Sequence, residues 1–135
     1  GDKVAEQIVE EGQADVLIAF ERLEALRYAH FLKKDGVMIV NDLRMDPMPV
    51  SIGAAQYPEN IIENLKKKHQ VISLDAQALA KEIGNARVFN TIIIGVAAKR
   101  MDFAKEDWLK VIEETVPQKT IEINTRAFEA GYALG

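Results

Sequence analysis

Few side chains in this sequence have the type and spacing that catalysis or metal binding requires. The two histidines, His30 and His69, are far apart and fall in different predicted helices. A zinc site built on one helix would instead place two histidines four residues apart. We therefore predict structural or surface roles for both, and we assign no catalytic residue and no metal ligand in this chain.

Two carboxylates follow predicted strands, where α/β folds present groups that face a ligand. Asp75 ends the strand predicted at 71–75 and directly precedes a helix, so we favour a capping role for it. Glu21 follows the strand predicted at 14–20. Its charge suits a ligand and the positive end of a helix dipole equally well.

Other polar residues carry weaker signals. Asn41 and Asp42 come at the end of the second predicted strand and resemble neither a nucleophile nor a base with a visible partner. Asn90 and Asn124 lie among aliphatic residues and glycines, where a side-chain amide costs free energy unless it is hydrogen-bonded. We predict that these two asparagines hold helices together or form a subunit contact. No Ser/His/Asp order, phosphate-binding loop or dinucleotide fingerprint is present in the sequence.

Composition excludes several classes of function. The 135 residues contain no cysteine, so this chain offers no thiolate for an iron–sulfur cluster, a zinc site or covalent catalysis. A net charge of −4 disfavours nucleic acid, and we interpret the basic run 66–68 as a solvated helix end. No apolar stretch approaches the roughly 20 residues that span a bilayer. We expect a soluble, cytoplasmic protein.

The elements that would position these residues alternate between strand and helix. Short apolar runs predict strands buried on both faces at 14–20, 37–40 and 71–75. Helical spacing predicts helices at 21–34 (ended by Gly36), from Pro58 to the lysine run, at 76–83, at 103–116 and from about 120 onward. The segment 41–58 contains three prolines and predicts an extended or hairpin excursion followed by a loop.

One run is ambiguous between the two types of element. Ile92–Ile94 favours a strand by propensity. The length of the run 89–98 and the sequence Ala-Ala-Lys-Arg at 97–100 favour a buried helix, which is our prediction. We see no internal repeat or linker and predict a single domain over 1–135. The local chemistry alone indicates an α/β domain that needs a partner.

Several segments, in this order, resemble one family. They are 12–28, 32–41, 47–50, 74–76, 79–80, 84–87, Asn90 with Gly95, and Glu122-Ile-Asn-Thr-Arg-Ala-Phe-Glu-Ala-Gly. Together they resemble the gamma-type domain of the 2-oxoacid:ferredoxin oxidoreductases, and within that family the beta subunits of the indolepyruvate enzymes.

This resemblance implies a Rossmann-like, three-layer α/β domain with a mostly parallel sheet. It also implies an enzyme subunit that is not self-sufficient. The whole enzyme would oxidatively decarboxylate a 2-oxoacid to an acyl-coenzyme A and reduce ferredoxin. Thiamine diphosphate and iron–sulfur clusters would be bound by a large partner subunit, in a homodimeric or hetero-oligomeric assembly, and none of these cofactors by this chain.

The sequence departs from the family pattern at its start. The family domain begins with a strand and a glycine-rich turn, whereas this sequence begins past that region, so we expect a sheet without its N-terminal strands and with an exposed edge. Three alternatives stay open. They are a subunit specific for pyruvate or 2-oxoglutarate, a stand-alone module that binds a small ligand or nucleotide through Glu21 and Asp75, and a dimerisation module with its interface at 92–98.

Overall fold

The computed structural model describes residue 12, residues 14–101 and residues 103–135. Contacts divide the chain into two compact units, Gly1–Ser73 and Leu74–Gly135, and each is described by itself. The single-domain boundary of 1–135 stays a prediction.

The first unit contains the sheet. Its elements are β1 (Ala14–Ala19), α1 (Arg22–Tyr28), β2 (Leu32–Asn41), α2 (Met48–Ser51), α3 (Ile61–Lys66) and β3 (Gln70–Leu74). The strands lie in the order β1-β2-β3, and β1 runs parallel to β2. The predicted α/β class with a parallel sheet is confirmed.

The core of this unit lies between the sheet and its helices. It comprises Ala19, Ala25, Leu32, Met38, Val40, Ile61 and Leu65. The middle strand β2 is buried from Gly36 to Asn41, as predicted for a strand covered on both faces. β1 is only half-buried along most of its length, contrary to that prediction, because it lies at an edge of the three described strands.

The region around Gly36 is the largest departure from the predicted elements. The helix ends at Tyr28, a short 3₁₀ turn follows, and β2 already begins at Leu32. The prediction that Gly36 ends a helix is therefore wrong. A Cβ atom at Gly36 would lie 2.8 Å from the Ala14 carbonyl oxygen, so glycine is required here for the close approach of β1.

This close approach accompanies an irregular register. Ala14 pairs with Leu32, but Val16 already pairs with Val37, so β2 contains extra residues at this point. Such a bulge bends the strand locally, and regular pairing continues after it. In the sequence, a glycine at a bulge cannot be distinguished from a glycine that ends a helix, which explains the wrong prediction.

The excursion after β2 is not a hairpin. It contains the single helical turn α2, which begins after Pro47. The next helix begins at Ile61, not at Pro58, because Asn60 adopts a left-handed backbone conformation with φ of 55°. The lysine run at the end of this helix is exposed, which confirms the predicted solvated helix end.

The second unit is helical after the end of β3. It contains α4 (Ala76–Ile83), α5 (Phe89–Ala98), α6 (Lys105–Thr115) and α7 (Ile121–Leu134). The helical prediction for 89–98 is confirmed. Ile92, Ile93 and Val96 are fully buried within the unit, so the predicted location of a dimer interface at 92–98 is wrong.

The α5 and α7 helices are in backbone contact, since a Cβ atom at Gly131 would lie 3.0 Å from the Val96 nitrogen. The second core cluster packs Ala98, Ile112 and Phe128 against aromatic and aliphatic side chains of α6 and α7.

None of the helices within the described residues is both long and apolar enough to cross a bilayer.

Candidate functional site

Glu21 caps the helix that follows it. Its carboxylate accepts hydrogen bonds from the backbone N–H groups of Leu23 at 2.9 Å and Glu24 at 2.6 Å. Glu24 Oε1 in turn accepts from the Phe20 N–H at 2.8 Å, which completes a reciprocal capping arrangement. Both carboxylates therefore accept hydrogen bonds at the start of α1. Of the two roles considered for Glu21, the structure shows the one at the helix terminus.

Asp75 has the same role at α4. Its Oδ1 accepts from the Ala78 N–H at 3.0 Å, and Gly84 ends the helix in a left-handed conformation with φ of 118°. The predicted capping role is confirmed. A cap accepts hydrogen bonds from backbone N–H groups that have no partner within the first helical turn. The position of this carboxylate is therefore explained without a ligand.

The histidines lie apart from any cluster of ligating groups. His30 is exposed, with its ring centroid 4.1 Å from that of Phe31, and His69 is half-buried. Among residues 14–101 and 103–135, no three His, Asp or Glu side chains lie close enough together to hold a metal ion.

Asn124 joins two helices of the second unit. Its Nδ2 donates to the Thr120 carbonyl at 3.0 Å, and its Oδ1 accepts from the Thr91 hydroxyl of α5 at 2.8 Å. The prediction that this amide holds helices together is confirmed. Asn90, by contrast, is exposed on α5.

Asn124→Ala is therefore expected to lower the free energy of unfolding by about 1–2 kcal/mol, because a partly buried Thr91 hydroxyl loses its acceptor. Asn90→Ala is the matched control and is expected to stay within about 0.5 kcal/mol of the original protein. Urea denaturation followed by circular dichroism measures both. Equal losses in the two variants would contradict the assigned role of Asn124.

A polar cleft of about 830 Å³ lies at the end of the sheet in the first unit. Arg22 and Asp42, which follow β1 and β2, line it together with Ser73 of β3. The carboxyl ends of parallel strands form the edge where α/β proteins bind ligands. This cleft is therefore the candidate site.

Ion pairs fix the two arginines at the cleft. Arg22 Nε donates to Asp42 Oδ1 at 2.6 Å, and Arg44 Nε donates to Asp46 Oδ1 at 2.7 Å. The Arg44 guanidinium also lies 4.3 Å above the ring centroid of Tyr57, a favourable cation–π contact. Both arginines are thus held in place with about a third to a half of each side chain exposed.

The Tyr57 hydroxyl is the least satisfied polar group of the cleft. It is buried and has no hydrogen-bond partner among the described residues. Burial raises the pKa of Tyr57, and the nearby charge of Glu21 raises it further. The hydroxyl therefore keeps its proton and is available as a donor.

Asn41 anchors the same edge of the sheet. It is the one fully buried polar residue of the described core, and its Nδ2 donates to the Phe20 carbonyl at 3.2 Å. This bond ties the end of β2 to the end of β1. The sequence placed Asn41 and Asp42 after a strand but gave no role to either.

Sequence reasoning missed most of this site. Arg22 directly follows Glu21, and Arg44 lies three residues after Asn41, so a count of cations near strand ends would have found both. Tyr57 sits in a proline-rich loop and has no such signal. Only the folded chain brings it beneath Arg44.

Comparison with known proteins identifies the family. A family model described as pyruvate ferredoxin/flavodoxin oxidoreductase matches residues 1–134. Two indolepyruvate oxidoreductase subunits IorB are similar in sequence. The protein from Thermococcus kodakarensis is 39% identical and that from Pyrococcus horikoshii 37%, each over 97% of this chain and 68% of the relative.

Solved structures show the same fold. The gamma subunit of a keto/oxoacid ferredoxin oxidoreductase from Geobacter sulfurreducens matches 94% of this chain and 67% of its own length, with a TM-score of 0.66 at 24% identity. Pyruvate oxidoreductase subunit PORC from Thermotoga maritima matches 90% and 64%, with a TM-score of 0.63 at 23% identity. The chain therefore belongs to the pyruvate ferredoxin/flavodoxin oxidoreductase family.

Proposed function

We propose that this chain is a subunit of an indolepyruvate-type ferredoxin oxidoreductase. The assembled enzyme would oxidatively decarboxylate aryl 2-oxoacids to acyl-coenzyme A and pass the electrons to ferredoxin. The observation that carries the proposal is the 39% and 37% identity to two IorB subunits over nearly the whole chain.

The chemistry of the chain supports a role that depends on a partner. It contains no cysteine to ligate an iron–sulfur cluster, and its two strand-end carboxylates cap helices. We propose that a large partner subunit binds thiamine diphosphate and the clusters. When bound there, thiamine diphosphate would accept the electron pair released by decarboxylation, and the clusters would carry single electrons. We further propose a hetero-oligomeric assembly in the cytoplasm.

Co-purification from the source organism tests the assembly. An affinity-tagged copy of the chain is expected to bring down a large polypeptide that contains thiamine diphosphate and shows iron–sulfur absorption. The same tag on an unrelated protein of similar size and charge is the control. Recovery of the chain without any such polypeptide would contradict the proposal.

The identity of the 2-oxoacid is tested on the assembled complex. Indolepyruvate is expected to reduce ferredoxin with a higher kcat/KM than pyruvate or 2-oxoglutarate. A preference for either of the other acids would replace this assignment with the pyruvate- or 2-oxoglutarate-specific alternative.

The cleft favours one rival function, a stand-alone module that binds a small ligand or a nucleotide. Its proposed contacts, Glu21 and Asp75, are both used as helix caps, so the cleft would have to supply others. Calorimetry of the isolated chain with nucleotides and 2-oxoacids discriminates the two functions. Tight nucleotide binding without a partner, together with a negative co-purification, would favour the rival.

A further inference from the structure

Three side chains that carry hydrogen-bond donors line the cleft of the first unit. The hydrogen bond that each arginine makes to its aspartate uses Nε, which leaves the terminal amino groups of Arg22 and Arg44 as donors. The planar fork of a guanidinium matches the oxygens of a carboxylate or a phosphate. Both side chains line the same cavity.

The Tyr57 hydroxyl is a separate indication of a ligand. A buried hydroxyl without a partner destabilises a folded protein, whereas phenylalanine would provide the same ring under Arg44 without that cost. Unsatisfied buried groups in native proteins call for a specific explanation, and ligand binding is one that also accounts for the neighbouring arginines. Since the hydroxyl is protonated, it too is a donor.

The acidic residues of the cleft limit the kind of anion that fits. Glu59 and Glu63 also line it and are exposed, as Arg44 is, so solvent and salt screen the charges of all three. Asp42 is engaged by Arg22. Because the lining carries both signs, it suits one small anionic group and not a polyanion such as nucleic acid.

We infer that this cleft is an oxyanion site, in which the Tyr57 hydroxyl and the guanidinium groups of Arg22 and Arg44 bind the carboxylate or phosphate group of a small ligand. Neither the identity of the 2-oxoacid nor assembly with a thiamine-binding subunit is needed for this inference. A failed co-purification would therefore leave it standing.

Titration calorimetry of the full chain with two probes, inorganic phosphate and pyruvate, tests the site. Saturable binding of phosphate that pyruvate does not displace assigns a phosphate-bearing ligand, and saturable binding of pyruvate assigns a carboxylate. Tyr57→Phe and Arg44→Gln are each expected to weaken the binding about tenfold or more, because each removes a hydrogen bond to a charged group.

Two controls separate binding from folding. Arg27→Gln removes an exposed arginine of α1 that does not line the cleft, and it is expected to bind both probes like the original protein. Tyr57→Phe is expected to keep or raise the melting temperature while it loses affinity, a combination that a purely structural tyrosine would not give. Failure of both probes to bind saturably, or unchanged binding in Tyr57→Phe and Arg44→Gln, would overturn the inference.

Discussion

Gly131→Ala is expected to lower the free energy of unfolding by about 3 kcal/mol, as over-packing between rigid backbones does. A Cβ atom at Gly131 would overlap the Ile92 carbonyl oxygen and lie 2.8 Å from the Ile92 carbonyl carbon and 3.0 Å from the Val96 nitrogen. Backbone atoms cannot move aside as a flexible side chain can. The α5 and α7 helices would have to separate.

The sign of this effect makes the experiment decisive. Helix propensity alone predicts that alanine stabilises α7 by about 1 kcal/mol relative to glycine. Arg126→Ala, at an exposed position of the same helix, is the control and is expected to change stability by less than about 0.5 kcal/mol. Chemical denaturation measures both variants. A Gly131→Ala protein as stable as the original would show that the helices are not in backbone contact.

Phe128→Ala is expected to cost about 3–5 kcal/mol, the usual range for a fully buried phenylalanine. Its ring is completely buried, with ring centroids 6.2 Å from Trp108 and 5.9 Å from Tyr132. Truncation leaves a cavity between α6 and α7 and removes both aromatic contacts.

Phe103→Ala provides the matched comparison for this variant. Phe103 is 62% exposed and makes an edge contact with Trp108, so its loss is expected to cost about 1 kcal/mol or less. Thermal unfolding monitored by tryptophan fluorescence compares the melting temperatures of the two variants. Similar melting temperatures for both variants would contradict the assignment of Phe128 as the centre of this core.

The sequence predicted those parts of the fold where local and tertiary signals agree. The cap at Asp75, the end of α4 at Gly84 and the strand 37–40 each depend on neighbours within a few residues, and all three are confirmed. The wrong prediction at Gly36 arose because its role depends on Ala14, a residue of another strand. Nothing in the local sequence distinguishes that contact from a helix end.

The candidate site was less predictable for the same physical reason. The polar residues noted in the sequence were those beside predicted strands, and the two carboxylates among them cap helices. The residues that converge on the cleft come from three separate segments, after β1, after β2 and before α3. Their proximity results from the strand order of the parallel sheet, which cannot be read from the local sequence.

The contact between Arg44 and Tyr57 has a consequence for how this family can vary. It brings together the two ends of the segment 45–56, so the base of this loop is fixed independently of its tip. Lengthening a loop costs little once its ends are held, since each doubling adds only about 0.6 kcal/mol of closure entropy. Insertions at the tip, around Gly53, would therefore leave the contact between Arg44 and Tyr57 in place.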